Sequence, residues 1–164
     1  MLSILNYVNT VDLNINDMSS EYEDREKELR EAIELLFYSY RAFTNGPDEI
    51  LHKKDLNRIH HRILYFVGRE PGLSVNDLLG VLQITKQALH MPLRQLVSMQ
   101  LVSSNKSASD GRIKNLKLTR AGSRLESRLT GTQLLLLENV FSEVGGKSEQ
   151  AWRKTMRVLA EDVE

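Results

Sequence analysis

The chain has 164 residues, 22 basic and 22 acidic side chains, a formal net charge of zero and no cysteine. The length fits one domain, or one small domain with helical extensions, and the lack of thiols excludes a disulfide framework, a thiolate metal site and a thiol redox sensor. No apolar run approaches the ~18–20 residues of a membrane span, and no basic stretch opens the N-terminus, so the expected location is the cytoplasm.

The zero net charge is unevenly placed. Residues 1–50 hold 4 basic and 11 acidic side chains, residues 51–128 hold 14 and 5, and residues 129–164 hold 4 and 6. An acidic end, a basic middle and a mildly acidic tail suggest a surface for an anionic partner in the middle third. On charge alone, a solvated basic face is an equal reading.

In chain order, residues 1–19 are rich in Asn, Asp and Ser and read as an arm of uncertain order. A helix is predicted from Ser20 to Phe43, with acidic Glu21, Glu23 and Asp24 in its first turn. Leu29, Ile33, Leu36, Phe37, Tyr40 and Phe43 form its apolar stripe. Asn45-Gly46-Pro47 is expected to end it. A second helix, Asp55 to Arg69, carries Leu56, Ile59, Ile63, Phe66 and Val67. Glu70-Pro71-Gly72 breaks it. Ser74 then caps a short helix, with Asp77 in the capping-box position and Leu78, Leu79 and Leu82 facing inward. Thr85 caps a helix to Met99 with Leu89, Leu93, Leu96 and Val97 inward. Leu101–Lys106 and Leu116–Leu118 read as strands around an Asp110-Gly111 turn. Thr119 caps a long helix to Val144, Gly145-Gly146 stops it, and a last helix runs from Ser148 to Asp162.

A short helix, a tight turn, a second helix and a basic hairpin make a winged helix-turn-helix. The fold class expected is mainly α with a small β-hairpin wing. The second helix of such a unit presents its N-terminal residues to base edges and phosphates. Here those residues are Thr85, Lys86, Gln87, His90 and Arg94, with Ser74 at the start of the first helix. The hairpin carries Lys106, Arg112, Lys114 and Lys117.

Glu70-Pro71-Gly72-Leu73-Ser74-Val75, Ile84-Thr85-Lys86-Gln87-Ala88-Leu89 and Leu93-Arg94-Gln95-Leu96 resemble the MarR family of winged-helix transcription regulators. So does the stretch Asp110–Gly122, which fits the family's wing pattern Asp-x-Arg-x-x-x-Leu-x-Leu-Thr-x-x-Gly at every position. The resemblance spans residues 20–164. It implies a homodimer on a double-stranded DNA operator, with Arg112 entering the minor groove and Asp110 orienting it. It also implies three parts: an arm and dimerisation helix over 1–50, a DNA-binding lobe over 51–122 and C-terminal dimerisation helices over 123–164. A small aromatic or anionic effector is implied between the dimer helices and the lobe.

Tyr40, His61 and Tyr65 are the candidate effector-pocket residues, although at helical spacing such residues more commonly pack in a core. Leu134, Leu135, Leu137, Phe141 and Trp152 are the candidate dimer interface. The sequence departs from the family in three places. Pro92 lies within the predicted recognition helix, where it predicts a bend. Met91 stands where a polar or basic residue is common. Gln100 stands where Gly is usual, which requires a backbone not far into positive φ.

No motif for nucleophilic or metal-assisted catalysis is found, and no cofactor is expected. Adjacent His60 and His61 point to different sides of a helix and do not form a metal pair. The alternative to DNA binding is a winged-helix module that binds protein.

Overall fold

In the computed structural model of the chain, the described residues are 2–106 and 114–161, with side chains described from Tyr22 onward except at Lys106. The elements are α1 (Leu2–His52), α2 (Arg58–Arg69), α3 (Val75–Leu82), α4 (Lys86–Ser98), β1 (Val102–Lys106), β2 (Lys114–Leu118), α5 (Arg120–Val144) and α6 (Gly146–Glu161). The mainly helical fold with one small antiparallel hairpin agrees with the expected class. The chain divides into two compact units, Met1–Ala42 and Phe43–Glu164.

The first unit is the helical stretch of α1 before Phe43, and its backbone is already helical from Leu2, where an arm of uncertain order was expected. Ion pairs at three- and four-residue spacing line it: Lys27 with Asp24, Arg25 with Glu28 and Arg30 with Glu26. Such exposed pairs each contribute only a few tenths of a kcal/mol, about 0.3–0.5. The apolar stripe of Leu29, Ile33, Leu36, Phe37 and Tyr40 is exposed.

In the second unit, α1 does not stop at Asn45-Gly46-Pro47. It runs on to His52 with Pro47 inside it, which corrects the expected break. The reason lies in α5. Pro47 has no N–H, so the Phe43 carbonyl four residues back loses its helical partner. Gln133 Nε2 donates to that carbonyl at 3.3 Å. Gly46 acts as a contact point, because a Cβ there would lie 2.9 Å from Thr132 Cβ. Both punctuation residues therefore serve the close approach of α1 to α5.

The start of α2 also moves. Asp55 is left-handed at φ 54°, and Asn57 is the N-cap, so the helix begins at Arg58, three residues after its expected start. α6 begins at Gly146, ahead of Ser148, because only Gly145 (φ 80°) takes the stopping conformation.

The core joins Leu51 and Leu56 to Ile63, Leu64 and Val67 of α2, Leu78 of α3, Leu89 and Leu96 of α4, Leu116 of β2, and Leu125 and Leu129 of α5. The inner stripes keep most residues read from periodicity, with fully buried Leu64 of α2 added and one residue of α4 removed. Val97 is exposed, since it lies about 100° around α4 from buried Leu96.

The hairpin pairs Val102 with Leu118 through to Lys106 with Lys114. Two further contacts fix it to the helices. Gly72 N–H donates to the Leu116 carbonyl and Leu116 N–H to the Leu73 carbonyl, both at 2.9 Å, so the segment before α3 acts as a third short strand. At the other edge the Leu101 carbonyl accepts Thr119 N–H at 3.0 Å. That approach needs Gly122, where a Cβ would sit 1.9 Å from the Leu101 oxygen. Gln100, at φ 56°, does enter the left-handed region, so the condition set for a side chain there is not met. The strain is about 1 kcal/mol for a residue with a Cβ, and Thr119 Oγ1 donates to the Gln100 carbonyl at 2.6 Å.

Candidate nucleic-acid interface

Three short-range devices aim α4. Ser74 Oγ accepts the Asp77 N–H at 3.1 Å and Asp77 Oδ2 accepts the Ser74 N–H at 3.1 Å, a complete capping box that starts α3. The Ser74 hydrogen bonds hold the Asp77 carboxyl below its ordinary pKa. Gln83 ends α3 in the left-handed region (φ 49°, ψ 43°), and two residues later Thr85 caps α4 by accepting the Ala88 N–H at 3.2 Å.

A longer-range device was not legible in the sequence. His60, the third residue of α2, accepts the Asn57 N–H on Nδ1 at 3.1 Å. That leaves Nε2 to donate to Gln95 Oε1 of α4 at 3.0 Å. Gln95 Nε2 then donates to the Asp55 carbonyl at 3.1 Å. A buried imidazole thus locks α4 to the left-handed turn before α2. Burial pushes the His60 pKa below 6.5, partly offset by the Gln95 and Asn57 contacts. Gln95 lies in the family-like stretch Leu93–Leu96, but this role is not marked there, because its partners are distant in sequence.

With Leu89 and Leu96 buried, α4 turns the opposite face outward. Thr85, Lys86, Gln87, His90, Met91 and Arg94 are all exposed. The helix is continuous through half-buried Pro92. Ser74 differs from this group: it is half-buried, its oxygen caps α3, and its backbone bridges Asn115 of β2. In the hairpin, Lys114 and Lys117 are exposed, and Lys106 stands opposite Lys114 in the register. Asp110 and Arg112 lie outside the described residues. Among the described residues, ion pairs form within α1, between Asp48 and Arg58, and within α6, and these pairs take up no basic group of α4 or β2.

The expected effector residues fall in both units. Tyr40 belongs to the N-terminal unit and is exposed. His61 is buried between α2 and α5, with Nε2 3.4 Å from Thr130 Oγ1, which donates to Glu126 Oε1 at 2.7 Å. Burial lowers the His61 pKa, against the nearby charges of Glu126 and Asp48, which raise it. Tyr65 packs edge-on to Phe66 with ring centroids 5.3 Å apart. A cavity of about 460 Å³ lies beside Asp48, Leu51, His52, Leu56, Asn57, Arg58 and Ile59, and none of the three lines it.

Of the expected interface residues, Leu134 and Leu135 are 62% and 63% exposed and Leu137 is half-buried. Phe141 and Trp152 pack together edge to face at 5.3 Å, joining α5 to α6.

A capped helix, a left-handed turn, a second helix with an outward polar face and a hairpin tied to both define a winged helix-turn-helix. The MarR family profile matches residues 54–113. The HTH-type transcriptional regulator PetP of Rhodobacter capsulatus is 37% identical over 134 residues, which cover 82% of this chain and 81% of PetP. Among solved structures, Streptococcus pneumoniae FabT in complex with DNA superposes with a TM-score of 0.74 at 16% identity, covering 83% of this chain and 99% of FabT. The S. aureus MepR–DNA complex gives 0.64 at 20% identity, covering 79% and 96%. The chain belongs to the MarR family. It is a helix-turn-helix transcriptional regulator and not an enzyme. Among the described residues, no helix is long and apolar enough to cross a membrane.

Proposed function

We propose that the chain is a homodimeric repressor that binds a pseudo-palindromic DNA operator in the cytoplasm. The observation that carries this reading is the outward row on α4, where Lys86, Gln87, His90 and Arg94 are exposed together behind the Thr85 cap. Cationic groups meet phosphates, and amide and guanidinium groups read base edges. FabT and MepR are DNA-bound in the structures that this fold resembles. In this reading Arg112 enters the minor groove, Asp110 orients it, and Lys106 and Lys114 flank the backbone. Thr85 keeps its hydroxyl proton to donate, and Ser74 supports α3 beside the phosphates.

The second copy covers the exposed apolar residues of the N-terminal helix and Leu134, Leu135 and Leu137 of α5, with Phe141 and Trp152 at the α5–α6 junction. Two recognition helices then meet successive major-groove faces about 10 bp apart. A small aromatic or anionic effector, felt through Tyr40, His61 and Tyr65, changes their spacing and releases the DNA.

Selection of bound sequences from a random DNA pool tests this. A two-fold motif with half-sites about one turn apart is expected, and recovery of no enriched motif overturns the reading. On the selected site, Arg112→Ala with Lys114→Ala should lower the salt slope by about 2. Sedimentation at micromolar concentration should give a dimer.

A further inference from the structure

We propose that Met91 reads a thymine: its side chain contacts the C5-methyl group in the major groove and fixes one T·A pair in each half-site. The inference rests on the DNA-binding reading above and supplies the chemistry of one position within it.

Met91 is 65% exposed, against 45% for Val81, 38% for Val97 and 38% for Met99, the other large exposed apolar side chains from α3 to the end of α4. It neither caps a helix nor fills the core, so the folding of the lobe does not explain it. Its position on the helix does. At about 100° per residue, Gln87 and Arg94 mark the middle of the outward face of α4, with His90 about 50° to one side and Met91 about 50° to the other. Leu89 and Leu96 occupy the opposite, buried side. Met91 therefore lies within the stripe that enters the groove.

An apolar side chain in that stripe has one match on duplex DNA. Base edges in the major groove present hydrogen-bond donors and acceptors, and a single apolar group, the thymine methyl. A thioether on an unbranched, flexible stem moulds itself to such a small target. A protein partner would need apolar surface around Met91, whereas Gln87, His90 and Arg94 beside it are polar or basic. Phosphate would favour a cation at this position.

The experiment uses the full-length protein and a selected operator in which each thymine is replaced in turn by deoxyuridine, which removes only the methyl group. The expected result is one position per half-site where replacement weakens wild-type binding about fourfold. Met91→Ala should lose that penalty and keep the effects at all other positions, and Met91→Leu should retain it. Because residue 91 is exposed, both variants should fold, which circular dichroism verifies. If Met91→Ala binds the operator and keeps every deoxyuridine penalty of the wild type, the thymine assignment is overturned and DNA binding stands. If the wild type shows no sequence-specific binding, the functional reading fails and the assignment falls with it.

Discussion

Two helical stripes in this chain have the same spacing and opposite fates. On α2, Ile63, Leu64 and Val67 are fully buried. In the N-terminal unit, Leu29, Ile33, Leu36, Phe37 and Tyr40 repeat at the same three- and four-residue steps and remain exposed, Ile33 at 68%. Periodicity identifies an apolar face; what covers it is a separate matter. The winged lobe is self-sufficient, because its side chains meet one another across five helices and a hairpin. The N-terminal stripe is exposed, and in the proposed function a second copy covers it.

The contrast is sharpened most by Gly122→Ala. The new Cβ meets the Leu101 carbonyl, which is backbone and does not swing aside. The loss should exceed the ~3 kcal/mol that overpacking usually reaches, and the variant should fail a denaturant-unfolding titration. Gly131→Ala on the same helix meets no atom. It should be neutral or gain up to about 1 kcal/mol. Equal behaviour of the two would refute the view that the lobe is held by this approach.

The direct comparison of the stripes comes next. Leu64→Ala should cost about 3 kcal/mol at any protein concentration. Ile33→Ala should cost little in dilute solution and show its effect only as concentration rises and a second copy covers the stripe. Unfolding midpoints measured over a hundredfold concentration range separate the two. A concentration-independent loss for Ile33→Ala would break the contrast.

A smaller effect is expected at Gln133, which replaces the hydrogen bond that Pro47 removes. Gln133→Ala should cost about 1 kcal/mol in chemical denaturation by leaving the Phe43 carbonyl without its side-chain donor. If Pro47→Ala, which restores the N–H, fails to rescue it, the pairing is wrong.

The smallest effect is a pH dependence confined to the lobe. His60 and His61 are both held below the ordinary 6.5 by burial. The unfolded chain therefore binds more protons than the folded one as the pH drops. Their contribution is present above about pH 6.5 and is lost as the pH falls through the lowered folded values. Thermal unfolding should show a lower Tm at about pH 5.5 than at pH 7.5, and a His60→Gln, His61→Gln double variant should flatten that slope. An unchanged slope would show that the histidines do not carry it.

Much of the site was legible because its signals are local. Thr85 and Thr119 sit directly before the helices they cap, and Leu89 and Leu96 mark the inner face of α4 by spacing alone. The uneven charge, with the cations in the middle of a neutral chain, likewise placed the basic groups on the winged lobe. Sequence therefore determined the helix order, the hairpin and the outward row at Lys86, Gln87, His90 and Arg94, since each depends on neighbours within a turn or two.

Only the tertiary structure decided the rest. Asn45-Gly46-Pro47 carries the local chemistry of a stop, yet α1 continues, because Gln133 and Thr132 of α5 supply the hydrogen bond and the close contact that reverse its meaning. His60 and Gln95 join only when α2 and α4 pack. Gln100 holds a left-handed backbone that its residue type does not favour, with its carbonyl fixed by Thr119. In each case the deciding partner is far along the chain, and local propensities of about 1–3 kcal/mol yield to the packing of a whole core.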